Sequence, residues 1–158
     1  MYAADRDAPE HARCRELLLE WRSQPTPWHL TWGIAYEFLR VTTHARVLRR
    51  PWSPQAAWEF VQALLAAPTL SLLGETDRHG SVLHDLIERL PRLAGNLLHD
   101  AHTAALMLEH GVRVIYTRNA DFHRFPGIEV RDPGERALTL ASRRQRPRRR
   151  LSCPDPRR

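Results

Sequence analysis

At 158 residues, 42% of them hydrophobic, the chain is large enough to bury the core of one domain. No apolar run approaches the roughly 18 residues of a membrane span, and Asp5, Arg6 and Asp7 interrupt any signal-peptide pattern at once, so the sequence is expected to be cytoplasmic. Cys14 and Cys153 are too few and too far apart for a disulfide framework or a zinc site, and the net charge of +6 is concentrated in one place.

Met1 to Ala4 (MYAA) is apolar, strand-like and very short. Asp7 and Glu10 make a capping-box-like start for an amphipathic helix marked by Cys14, Leu17, Leu18 and Trp21, which Ser23, Pro25 and Pro27 close. Cys14 is expected to pack in that helix face. The next helix is expected from about Leu30 to Thr42, with Leu30, Ile34, Phe38 and Val41 as its apolar stripe. Glu37 falls on the stripe. An ionised carboxylate on an inward face is costly unless paired or metal-bound, so Glu37 either points into a site or sits at an edge with its head group in solvent.

Ser53 and Pro54 supply an N-cap and an N1 proline for a helix with Ala57, Phe60, Val61, Leu64 and Leu65 inward. Thr69 to Leu73 reads as a strand. A helix from about His79 to Leu90 follows, with Val82, Leu83, Leu86, Ile87 and Leu90 inward, and Pro91 to Asn96 is a loop. Leu97, Ala101, Ala104, Ala105 and Leu108 then recur at helical spacing, and Gly111 is a natural left-handed stop. Val112, Val114, Ile115 and Tyr116 form a run suited to a buried parallel strand, Gly127 to Val130 a last short strand, and Pro133-Gly134 a turn. Helices alternating with short strands indicate α/β with a mainly parallel sheet.

Two acids frame the unit from Gly95 to Val130. Asp100 lies in the first turn of its helix, where acids are also favoured simply by the helix dipole. Asp121 lies just past the strand, where ligands bind in open α/β sheets. From Arg143 to Arg158, eight arginines stand against one acid, Asp155, a charge of +7; subtracted from +6, this leaves residues 1–142 at −1. With three prolines and one large aliphatic residue, this tail reads as a solvated, disordered end. The competing reading is a non-specific hold on nucleic-acid phosphates. The expected division is a domain over 1–135 and a basic Arg/Pro-rich tail over 136–158.

Four segments carry a family resemblance: YAADRDAPEHARC (2–14), YEFLRVT (36–42), GNLLHDAHTAALMLEHG (95–111) and TRNADFHRFPG (117–127). Their order resembles the PIN-domain nucleases, most closely the VapC-type toxins of bacterial toxin–antitoxin pairs, over roughly Tyr2 to Pro133. The resemblance implies a PIN-like three-layer sandwich, with a mainly parallel central sheet flanked by helices. It also implies an acidic cluster that holds Mg²⁺ or Mn²⁺ and hydrolyses RNA phosphodiesters. By position, Glu37 matches the family's helix glutamate and Asp100 its third acid. The family's Thr-x-Asp-x-Asp-Phe pattern appears as Thr117, Asn119, Asp121 and Phe122, so Asn119 stands where an aspartate is usual. Family members open with a strand ending in an aspartate; here Met1 directly precedes Tyr2-Ala3, so that strand and its acid are expected to be missing or truncated.

The expectation is a metal-dependent endoribonuclease with Glu37, Asp100 and Asp121 as catalytic acids, the same three with Asn119 around the metal, and Thr117 in support. Mg²⁺ takes one or two carboxylates plus phosphate oxygens, relieves the repulsion of clustered acids and lowers the pKa of a bound water. The implied partners are RNA, a VapB-like antitoxin and a second copy in a homodimer. An alternative is a catalytically impaired or inactive PIN-fold module that still binds an antitoxin, because one acid is absent. A third reading is a histidine metal site from His99, His102 and His123. Trp28, Trp32 and Trp52 are either base-stacking rings or core and dimer contacts.

Overall fold

The computed structural model describes residues 1–135; the expected tail over 136–158, with Cys153, lies outside them. Met1 to Ala4 is not strand-like but a tight turn, with the Ala4 N–H bonded to the Met1 carbonyl at 2.8 Å. Helix α1 (His11–Ser23) buries Cys14 and Leu17, as its apolar spacing predicts. Its expected capping box does not form. The Asp7 carboxylate is drawn to Arg50 at 2.6 Å, that of Glu10 to Arg118, and no side chain caps the helix. Charge pairing over long sequence distances outcompetes the local cap.

The stretch expected as one helix from Leu30 splits in two. Strand β1 (Trp28–Thr31) comes first, and helix α2 (Trp32–Thr42) follows without a gap. Thr31 makes both possible: it ends the strand in extended conformation, and its hydroxyl caps α2 by accepting from the Ile34 N–H at 3.1 Å. A four-residue strand buried at both ends shows no alternation, so the helical spacing of Leu30 with Ile34 is a coincidence. The inward face of α2 runs through Ala35, Val41 and Thr42, and Ile34, expected inward, is exposed. Phe38 stacks on Phe60 at 5.0 Å and meets the edge of Trp52, which joins α2 to α3 (Pro54–Leu65). The α3 start is as expected, with the Ser53 hydroxyl accepting from the Ala56 N–H and Pro54 in the first turn. Strand β2 (Leu70–Leu73) pairs parallel with β1, Trp28 opposite Leu70 and Thr31 opposite Leu73.

Helix α4 (His79–Arg89) packs on α5 (Leu97–Glu109). Ile87, expected inward, is exposed, and Leu86 alone on α4 is fully buried. The core here gathers Leu86, Leu97, Ala101, Ala104, Ala105, Phe122 and Phe125. The three alanines have no measurable exposure, and Leu106 is 2% exposed, so α5 is enclosed on nearly every side. Gly111 has φ +70. Beyond it the Val112 N–H reaches back to the Met107 carbonyl and the Gly111 N–H to that of Leu108, the paired bonds of a Schellman stop. Strand β3 (Val114–Tyr116) then pairs parallel with β4 (Glu129–Arg131). It is half-buried rather than buried, with Tyr116 exposed.

The architecture is therefore α/β with parallel pairing, as the sequence indicates, but the described strands form two separate two-stranded ladders. Trp21 bridges them. Its ring lies 5.6 Å from Trp28 of β1 and meets Tyr116 of β3 edge-on at 4.8 Å. Arg118 fastens the second ladder to the start of α1, pairing with Glu10 before that helix and Asp132 after β4. Among the described residues, no helix is long and apolar enough to cross a membrane.

Candidate active site

Asp100 is set in the first turn of α5, half-buried because the helix around it is buried. Across from it, the segment after β3 is stitched by its own polar side chains. The Thr117 hydroxyl accepts from the Asn119 N–H, and Asn119 Oδ1 accepts from the Asp121 N–H, each at 3.0 Å. These are the short loops that Thr and Asn favour because their oxygens reach the backbone two residues on. Asn119 thereby caps the 3-10 turn Ala120–Arg124, whose first residues include Asp121 and whose apolar side buries Phe122.

The other half of the Asn119 amide faces Asp100: Nδ2 donates to Asp100 Oδ2 at 3.0 Å. An aspartate at 119 would have no donor for this bond. Burial pushes the Asp100 carboxyl above its ordinary value; the Asn119 bond opposes this, Asp121 adds to it, His99 opposes it and Glu37 adds to it. Glu37 and Asp121, from two other elements, thus act on Asp100 through their charges. Their contacts differ from a closed metal shell. Glu37 is exposed, at the edge of α2 rather than on its inward face, and both of its oxygens take bonds from Arg40, at 2.9 and 2.6 Å. Asp121 lies 3.5 Å from Arg124. Among the described residues, no three His, Cys, Asp or Glu side chains converge closely enough to hold a metal ion.

The donor set nevertheless suits a hard divalent cation in kind. It is all oxygen, it carries three like charges, and Asp100 registers the repulsion of the other two. Asn119 does not offer an oxygen in this arrangement, since Oδ1 is used on the Asp121 N–H. A shallow cleft of about 460 Å³ opens beside these residues, lined by Thr117, Asn119, His123 and Asp132 among others.

The histidines do not assemble a centre of their own. His102 is paired with Glu75 at 2.9 Å, His99 is exposed beside Asp100, and His123 lines the cleft. Sequence spacing missed a different cluster. Glu109, at the C-terminal end of α5, has a fully buried side chain. Its carboxylate accepts from the Thr76 N–H at 2.8 Å, the Thr76 hydroxyl at 2.7 Å and His79 Nδ1, while Arg78 donates to its carbonyl. A signal was present: an acid in the last turn of an apolar helix opposes the helix dipole and needs donors elsewhere.

The PIN domain family is matched over residues 1–128. Ribonuclease VapC48 of Mycobacterium tuberculosis is 34% identical over 134 residues, 84% of this chain and 91% of that protein. VapC ribonuclease Mb2897 of Mycobacterium bovis is 36% identical over 133 residues, 84% of this chain and 89% of that protein. Ribonuclease VapC33 of Mycobacterium tuberculosis is 30% identical, with 84% of this chain and 92% of that protein covered. The chain belongs to the PIN-domain family. Within that family its kinship is with the VapC type.

Proposed function

We propose that the protein is a metal-dependent endoribonuclease, the toxin of a toxin–antitoxin pair acting in the cytoplasm, with Asp100, Asp121 and Glu37 as the acids of its site. The observation that carries this reading is geometric: in a chain of the PIN family, Asn119 joins Asp100 on α5 to the turn that bears Asp121, donating to Asp100 Oδ2 and accepting from the Asp121 N–H, each at 3.0 Å. Glu37, Asp100 and Asp121 would hold Mg²⁺ or Mn²⁺, with Asn119 near them and Thr117 fixing the Asn119 backbone. When bound, such an ion supplies a water of lowered pKa and neutralises charge on the phosphate. The protein's own part is positional. Asn119 orients the Asp100 carboxylate, the cap on the 3-10 turn aims Asp121, and Thr31 sets the start of α2 and with it the place of Glu37. The relatives' names support RNA as substrate, and a VapB-like antitoxin and a second copy of the chain are the partners this function calls for.

The test is cleavage of a structured RNA with Mn²⁺ or with EDTA, by the 158-residue chain and its Asp100→Asn variant. Cleavage is expected to need both the metal and Asp100, and to fall by two orders of magnitude or more in the variant. Because the ionised Asp100 is disfavoured by burial and by its neighbours, Asp100→Asn is expected to keep or raise Tm in EDTA. Retained cleavage by a folded variant sinks the site. A second reading, a PIN-fold module that binds an antitoxin without catalysis, is favoured by the Arg40 clamp on Glu37. Wild-type chain that neither cleaves RNA nor binds Mn²⁺ by calorimetry would decide for it.

A further inference from the structure

The structure separates three tryptophans that composition treats alike. Trp28 is buried at 8% exposure and packs on Trp21. Trp52 is half-buried against Phe38 and Phe60. Trp32 alone of these three is open, at 46% exposure, in the first turn of α2. One turn further on stands Tyr36 at 68%, its ring 6.4 Å from that of Trp32 and tilted 48° to it. One turn beyond Tyr36 comes Arg40, also exposed. Positions i, i+4 and i+8 lie in one row on a helix, about 6 Å apart along the axis. The solvent face of α2 therefore carries two aromatic rings followed by a guanidinium, and Glu37 is the next residue after Tyr36.

We propose that Trp32 and Tyr36 are a stacking platform for unpaired bases of an RNA strand, and that Arg40, which bonds to Glu37, meets the adjoining phosphate. The proposal rests on the reading that Glu37 and Asp100 mark the reacting site. Glu37 follows Tyr36 and bonds to Arg40, so the nucleotides flanking a phosphate at Glu37 come within reach of this row. Exposed indole and phenol rings offer flat π-faces that accept any base, which suits single-stranded RNA. A guanidinium reads phosphate by charge and shape. Arg40 also gives the row a different role from a plain apolar dock. Its bonds to Glu37 hold the acid's charge while no RNA is present, and a phosphate competes for the same donors. Trp32 and Tyr36 are thus positioning residues that choose substrates with unpaired bases next to the cut.

The experiment measures binding of a short fluorescein-labelled single-stranded RNA in EDTA, where no cleavage intervenes, using the full 158-residue chain. The variants are Trp32→Ala, Trp32→Phe, Tyr36→Ala and Asp100→Asn, each checked for its fold by circular dichroism. Trp32→Ala is expected to weaken binding about tenfold, Tyr36→Ala by a comparable amount, and Trp32→Phe to recover most of the loss. With an RNA carrying abasic sugars at the stacked positions, wild type and Trp32→Ala should bind alike. Equal affinity of folded Trp32→Ala and wild type for the intact strand overturns the proposal. So does an equal loss on the abasic strand. A Trp32→Ala variant that changes only the sedimentation of the chain, or only the capture of a protein partner, makes the face a protein interface and overturns it as well. The two readings fail separately: a Trp32 effect with cleavage surviving in Asp100→Asn rejects the site and keeps the platform. Loss of cleavage in Asp100→Asn with no Trp32 effect does the reverse.

Discussion

Asn119 does two jobs with one amide: its oxygen caps the turn that carries Asp121, and its nitrogen donates to Asp100. The chain thereby holds two neighbouring acids with a neutral side chain where a third carboxylate would repel both. Asn119→Asp should reverse the balance. It keeps an oxygen for the Asp121 N–H but loses the donor to Asp100 and adds a like charge. Without metal the variant is expected to melt at lower temperature than wild type. Calorimetric titration with Mn²⁺ should find it bound at least about tenfold more tightly, since the attraction of an added carboxylate for a divalent ion exceeds that even after much of it is offset by desolvation. Unchanged or weaker Mn²⁺ binding would place residue 119 outside the cation's reach.

At the scale of elements, the C-terminal end of α5 is pinned to the segment between β2 and α4 by Glu109. Burial raises its carboxyl, but the Thr76 hydroxyl, the Thr76 N–H and His79 together outweigh burial and hold it below the ordinary glutamate value. A carboxyl whose folded pKa is depressed contributes stability that is present above the unfolded value, near 4.5, and is lost as pH falls through the folded one. Glu109→Gln keeps an acceptor for Thr76 and removes the charge, so a loss of about 1–3 kcal/mol at neutral pH is expected. The difference from wild type should shrink as pH is lowered below about 4.5, the glutamate reference. Denaturant titrations at pH 7 and pH 3.5 measure this; a difference that grows on acidification contradicts the sign.

Across the whole molecule, the two parallel ladders share no strand-to-strand hydrogen bonds among the described residues, so their union depends on side chains. Trp21 contributes rings to both, touching Trp28 on one side and Tyr116 on the other. Trp21→Ala is expected to cost about 3 kcal/mol, the usual scale for removing a large packed ring. Unfolding followed by tryptophan fluorescence and by far-UV circular dichroism should then cease to coincide, since the halves lose their common contact. A cost below about 1 kcal/mol with coincident transitions would show that the ladders are held together by packing other than the Trp21 ring.

Local rules carried much of this protein. The α5 helix with its Schellman stop at Gly111 and the Ser53-Pro54 start of α3 follow from spacing and caps, because neighbours in sequence supply every interaction those signals need. The placement of Asp100 on the first turn of α5 and of Asp121 past β3 was legible for the same reason. Other features were decided only when distant segments met. Trp28 to Thr31 became a strand because Leu70–Leu73 lies alongside it, and four residues are too short to declare a period. Glu37 lies at the edge because α2 packs through Ala35, Val41 and Thr42 and leaves Ile34 exposed, against its apolar spacing. Asp7 and Glu10 left their cap for Arg50 and Arg118, and Glu109 found its donors on the far side of α4. The sequence by itself determined the helices α3 and α5 with their caps, and that Asp100 and Asp121 stand on the first turn of α5 and just past β3. Only tertiary structure decided which charges are paired, which rings are open and how closely the acids approach, because those depend on partners that no local window contains.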